Sequence, residues 1–216
     1  MAHTLYGTLG SGSAAIEMAL HACDAQWQYG DAASWKPGSS VEELRRVNPL
    51  VQIPTIVLPG GAVSTESAAI LIHLATARPS SSLLPESSAS RAQAIRGLIF
   101  IAANRYSAVS VVDFPSRWTV AFDESAHDAV REGARQRLFH HWDICADTFA
   151  PDPYLSGANP GALDYLAVVV SMSCSARNHI ARSRPLFSQT LRRIETHDSV
   201  APIFRQHWDH TASWRS

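Results

Sequence analysis

Lysine is almost missing from this 216-residue chain: Lys36 is the single one among eighteen Lys plus Arg, which nineteen Asp plus Glu offset to a formal net charge of -1. The arginines are spread out, with Arg45-Arg46 and Arg192-Arg193 as the only adjacent pairs. No global field therefore draws the chain to nucleic acid or to anionic lipid. Cysteine is scarce too. Cys23, Cys145 and Cys174 lie far apart and form no C-x-x-C, which excludes a disulfide scaffold and a zinc ribbon and predicts buried free thiols. No apolar run approaches the roughly 18–20 residues of a membrane span, and the opening MAHTLYGTLGSGSA has neither the basic nor the apolar stretch of a signal peptide. A cytoplasmic protein that binds neither membrane nor nucleic acid is expected.

Several chemical motifs are also lacking. Gly7, Gly10 and Gly12 do not have the spacing of G-x-G-x-x-G, and there is no G-K-[ST], so nucleotide binding has no support. No H-E-x-x-H is present to carry zinc catalysis. The histidine clusters His140-His141-Trp142-Asp143 and His207-Trp208-Asp209-His210 read as surface or packed side chains, because neighbouring residues of a helix point to different sides. No metal site is expected.

With 46% hydrophobic and 17% charged residues, the chain can bury a sizeable core, and its length suits two compact units. Residues 1–79 alternate between strand-like and helix-like patterns. A β-like run at His3–Tyr6 leads into a helix at Ala14–Cys23, and a second β-like run at Trp27–Tyr29 precedes a short helix at Val41–Val47. A hairpin follows, with Pro59-Gly60-Gly61 between two apolar runs, and then a helix from Thr65. The stretch 80–90, rich in Ser and Pro, cannot continue a helix and marks a linker. Residues 91–216 show no strand. Val130, Ala134, Leu138, His141, Cys145 and Phe149 recur at the spacing of one helix face, and helices are predicted at Arg91–Asp113, Glu124–Phe149, Ala162–Ala176, Pro185–Glu195 and Val200–Trp208.

Three segments could carry chemistry. Pro54 precedes a run that reads as a sheet strand, where proline is normally excluded because it cannot donate to the ladder. A cis Ile53-Pro54 bond would turn Ile53 outward as a strand-like edge for a peptide-like ligand, whereas a trans proline at a strand edge is the commoner case. Thr65-Glu66-Ser67 opens a helix whose free N–H groups would attract an α-carboxylate, with Glu66 able to accept from an α-ammonium; a plain helix N-terminus is the commoner alternative. Ser11 and Ser13 stand in a glycine-rich loop beside another helix start, where hydroxyls would stabilise a thiolate.

Leu5-Tyr6 with Ser11, Asn48-Pro-Leu-Val-Gln-Ile-Pro54, Thr65-Glu66-Ser67-Ala-Ala-Ile-Leu71 and a Ser/Pro linker into helices together resemble a cytosolic glutathione S-transferase over nearly the whole chain. The resemblance implies an α/β plus all-α fold, in which a thioredoxin-like N-terminal domain precedes an all-helical C-terminal domain. It implies glutathione as co-substrate, a homodimer, and detoxification chemistry in which the glutathione thiolate attacks a small electrophile. Carried over by position, Ile53 would bond the cysteinyl backbone of glutathione, Pro54 would be cis, Glu66 and Ser67 would hold the γ-glutamyl end, and Lys36 or Gln52 would reach the glycyl end.

Ser11 matches the catalytic serine of theta-like and zeta-like members, with Ser13 and Tyr6 as rival donors. Gly12 stands where beta-like and omega-like members carry a cysteine. The electrophile site would draw on Asn104, Arg105, Tyr106, Phe114 and Trp118, with Arg105 able to meet an anionic substrate group. Asp164, four residues after Pro160, is assigned to capping a core helix. The same fold would also serve a glutathione-dependent peroxidase, isomerase or dehalogenase, or a non-catalytic glutathione- or partner-binding protein.

Overall fold

In the computed structural model, which describes residues 2–209, the chain opens with β1 (His3–Gly7), α1 (Ser13–Ala22), β2 (Trp27–Asp31) and α2 (Val41–Val47). β3 (Thr55–Val57), β4 (Val63–Ser64) and α3 (Ser67–Ala77) follow. The strands form one sheet in the order β2-β1-β3-β4; β1 is parallel to β2 and antiparallel to β3, which is antiparallel to β4. Parallel β1 and β2 require a crossover. Helix α1 supplies it from Ala14-Ala-Ile-Glu-Met-Ala-Leu20, a wholly buried stretch rich in alanine, which loses no side-chain entropy in a helix. The β3–β4 hairpin turns where Pro59-Gly60-Gly61 predicts. Leu58 N–H donates to Ala62 C=O at 2.8 Å, and Gly61 takes φ of +85°, a conformation glycine adopts without steric cost.

After β4 no strand occurs among the described residues, apart from an isolated bridge between Tyr154 and Gly157. Helix α4 (Ser88–Ile101) starts where Ser87 Oγ accepts from Ser90 N–H at 3.1 Å. It runs through a single π-helical turn, Ala102–Tyr106, into α5 (Ser107–Asp113). Helices α6 (Glu124–Thr148), α7 (Ala162–Val170), α8 (Ala176–Ser183), α9 (Pro185–Glu195) and α10 (Ala201–Trp208) complete the chain. This is the thioredoxin-like domain followed by an all-helical region that the sequence predicts.

Helix α7 is the centre of the molecule. All its residues are buried, and it packs on α4 and α9 of the helical region and on α1 and α3 of the sheet region. Its first turn is fixed by Asp164, whose carboxylate accepts the N–H groups of Leu155 at 2.8 Å, Ser156 at 2.9 Å and Gly161 at 3.0 Å. Burial pushes this carboxyl upward in pKa against the pull of those three donors.

Two expectations need correction. The helix read over Ala162–Ala176 ends at Val170, because Cys174 and Ser175 both take positive φ, and α8 begins only after them. The polar run Ser171-Met-Ser-Cys-Ser175 explains the break, since serine competes for backbone bonds. The expectation that nothing approaches a membrane span is also too strong. The continuous helix 88–113 is long and apolar enough by length and composition. Its buried stripe of Leu98, Ile101, Arg105, Ala108 and Val112 belongs to a helix packed on α6 and α7, as in the interior of a protein.

Candidate active site

The cleft is built from the loop before β3. The Asn48 side chain, 3% exposed, organises it: Nδ2 donates to Gln52 C=O at 3.1 Å and to Thr55 Oγ1 at 2.9 Å, while Oδ1 accepts from Leu50 N–H at 3.0 Å. Thr55 Oγ1 in turn donates to Gln52 C=O at 2.7 Å. The Ile53–Pro54 bond is cis, and Ile53 lies just ahead of the β-ladder, which begins at Thr55. Gln52, Ile53 and Pro54 are thereby presented as one wall.

The N-terminus of α3 faces the same space. Glu66 occupies the cap position with φ of +63°, a left-handed conformation strained for a residue with a side chain, and no side chain caps the first turn. The N–H groups that open α3 keep their pull on an anion, next to the Glu66 carboxylate and the buried Ser67 hydroxyl.

Opposite stands the long helix 88–113. Ala102, Tyr106, Val109, Ser110 and Asp113 share one face of it, and with Phe114 and Arg117 they close a cleft of about 550 Å³ over the sheet-region wall. Arg117 stacks over the Phe114 ring with 4.1 Å to its centroid. The π-helical turn lies where the helix reaches the cleft, a distortion often found at functional sites.

Of the residues singled out in the sequence, Ile53, Pro54, Gln52, Glu66, Ser67, Tyr106 and Phe114 come together here. Lys36 does not: its ammonium pairs with Asp31 at 2.8 Å away from the cleft wall. Arg105 is fully buried on the far side of its helix. Its Nη2 donates to His141 C=O at 3.0 Å, and its guanidinium lies 4.0 Å from the Trp142 ring centroid and 4.9 Å from that of Phe100. Burial pulls its pKa down, with the neighbouring Cys145 acting in the opposite direction. It lines no part of the cleft. Asn104, adjacent to it, donates back to Phe100 C=O at 3.1 Å, and Trp118 stands exposed beyond the cleft.

Ser11 and Ser13 also stand apart from the cleft wall. Ser11 Oγ donates to Thr8 C=O at 2.7 Å and accepts from Ser13 N–H at 3.2 Å, so it serves the first turn of α1. Ser13 is buried, with its Oγ 3.2 Å from Thr8 C=O and 3.3 Å from Glu17 Oε1. Tyr6, the third rival, lies in β1.

The sequence reading missed the group behind this loop. Gly10 N–H donates to His207 Nδ1 at 3.1 Å, which leaves the proton on Nε2 to bond Glu17 Oε1 at 3.0 Å. Both side chains are buried, and they join α10 to α1 across 190 residues. The one local signal was a glutamate in the midst of Ala14–Leu20, an otherwise apolar helix. The remaining member of the second histidine cluster, His210, lies outside the described residues.

Fold and cleft define a thioredoxin-like domain joined to a helical one, with the site between them. Residues 13–77 match the model of the glutathione S-transferase N-terminal domain. That match gives the first part of the chain a glutathione S-transferase N-terminal domain. The uncharacterised GST-like protein YncG of Escherichia coli is 35% identical over 115 residues, covering 53% of this chain and 56% of that protein, so the match takes in little more than half of this curated relative. A glutathione transferase homologue from Sulfitobacter, solved with bound glutathione, is 21% identical and superposes with a TM-score of 0.80 over 94% of this chain and 96% of its own. A glutathione transferase from Methylococcus capsulatus is 25% identical, with a TM-score of 0.76 over 94% of this chain and 98% of its own.

Proposed function

We propose that the protein is a cytoplasmic glutathione transferase, acting as a homodimer in detoxification. It binds glutathione along the wall of Gln52, Ile53, Pro54, Glu66 and Ser67 and conjugates it to a small, largely hydrophobic electrophile held by Tyr106 and Phe114. The observation that carries this reading is the uncapped start of α3, which opens onto the same cleft as the Ile53 edge. An amino-acid head group matches it: carboxylate to the N–H groups and Ser67, ammonium to Glu66. The edge at Ile53 suits the peptide backbone that follows such a head group.

The chemistry needs a thiolate, because a thiol with pKa near ~8.5 is only a few per cent ionised at neutral pH. The thiol proton passes to water, and the sulfur lone pair forms the new C–S bond. The leaving group departs with the pair of electrons from the bond that breaks. Holding both reactants in one cleft supplies the orientation the attack requires. Val109, Phe114 and the Arg117 guanidinium give the electrophile side an apolar floor with a cation at its rim.

Calorimetric titration of glutathione tests the reading, together with an assay of conjugation to 1-chloro-2,4-dinitrobenzene. Binding and turnover are expected in the wild type. Glu66→Ala and Ser67→Ala are expected to weaken binding roughly ten-fold or more each, the scale of one hydrogen bond to a charged group. Unchanged affinity in both variants would remove the head-group site, and binding without turnover would identify a glutathione carrier.

A further inference from the structure

We infer that the Tyr106 hydroxyl, delivered from the helical region, is the hydrogen-bond donor that holds the glutathione sulfur as a thiolate, in place of Ser11. The inference rests on the glutathione reading above.

Tyr106 Oη is buried and has no hydrogen-bond partner. Leaving such a group unpaired is unfavourable in a folded protein, and a site that awaits a ligand is one of the few situations that accounts for it. Its location identifies the ligand atom. A Cβ added at Gly12 would stand 2.2 Å from Tyr106 Oη and 3.5 Å from Pro54 Cδ. The phenol therefore fills the space that the missing side chain of residue 12 leaves open, in front of the loop and beside the cis proline. A peptide-like ligand docked on the Ile53 edge passes its central side chain there. The Ser67 hydroxyl, which closes the other side, is near enough to the phenol to pull its pKa down against burial, yet the two do not meet in the geometry of a regular hydrogen bond.

The serines offer no rival proton. A hydroxyl has one hydrogen to give. That of Ser11 goes to Thr8 C=O at 2.7 Å, and that of Ser13 is shared between Thr8 C=O and Glu17, deeper in the molecule. Burial pushes the Tyr106 phenol above its ordinary pKa, so at neutral pH it remains protonated and gives a hydrogen bond where an anion would repel the sulfur. The proton lost on ionisation is the thiol's own, and it leaves to water. Tyr106 keeps its proton throughout and acts by charge-assisted hydrogen bonding.

The test follows the ultraviolet absorbance of bound thiolate against pH, with glutathione affinity by calorimetry and steady-state turnover, in the wild type and three variants. Tyr106→Phe keeps the ring and removes the donor. Its bound thiol should titrate near the free value of ~8.5, with kcat falling roughly ten- to hundred-fold and the Kd for glutathione changing little. Gly12→Ala keeps the hydroxyl but displaces it, and should weaken the thiolate band in the same direction. Ser11→Ala should retain most of the band.

A full thiolate band in Tyr106→Phe would overturn the inference, as would its abolition in Ser11→Ala. Loss of glutathione binding in Tyr106→Phe would overturn it too, by making the tyrosine part of the binding frame. If the wild type itself bound no glutathione, the proposed function would fall and this inference with it; wild-type binding with an intact band in Tyr106→Phe removes the inference alone.

Discussion

The two sides of the β1–α1 loop differ in how their polar atoms are used. On the inner side a chain of hydrogen bonds ties the loop's side chains down: Ser11 and Ser13 to Thr8, Ser13 to Glu17, Glu17 to His207, and His207 to Gly10. On the outer side, across Gly12, the Tyr106 hydroxyl is bonded to nothing. Satisfied buried polar groups fix a frame, because breaking any one strands its partner. An unsatisfied one facing a cleft is free for a ligand. In this molecule the hydroxyls that the sequence pattern favours have become frame, and a tyrosine from the other region, Tyr106, lines the cleft.

The comparison predicts a graded set of stability changes in the unliganded protein, measurable by chemical denaturation. His207→Ala should have the largest effect, about 3–5 kcal/mol, because it leaves the buried Glu17 carboxyl and the Gly10 N–H without their partner. A loss below about 1 kcal/mol would mean that this inner network is not a frame. Ser11→Ala should cost about 1 kcal/mol, the scale of a helix-cap hydroxyl. Tyr106→Phe should be the smallest, within about 0.5 kcal/mol of zero or on the stabilising side, since the hydroxyl it removes makes no bond. A destabilisation by Tyr106→Phe as large as that of Ser11→Ala would break the contrast, because both variants delete a single hydroxyl.

The architecture was legible because its signals are local. Alternating apolar residues, the Pro59-Gly60-Gly61 turn and the Ser/Pro segment after Ala77 each report on a few neighbouring residues, and the sheet and helices follow from them. The cleft wall was legible for the same reason: Asn48 to Pro54 is one short loop folded on its own side chains, and Glu66-Ser67 opens the helix next to it. The break after Val170 was missed because apolar periodicity continues past it, while the competing serines give a weaker signal.

Arg105 and Tyr106 mark where that legibility stops. They are adjacent in the sequence and read as members of one substrate site, yet the helix turns the arginine into the core against Trp142 and the tyrosine into the cleft. The buried stripe of Leu98, Ile101, Arg105, Ala108 and Val112 carried the warning, since Arg105 falls in the register of the core.

By itself the sequence determined the order of elements and singled out the Asn48–Pro54 loop and the start of α3 as segments able to carry chemistry, since these signals depend on residues a few positions apart. Only the tertiary structure decided which hydroxyl faces the cleft. That choice depends on Glu17 meeting His207 across 190 residues and on Tyr106 entering the space left by Gly12. Contacts of that range are fixed only when α1, α10 and the π-helical turn come together in the folded chain, and no local pattern of residues encodes them.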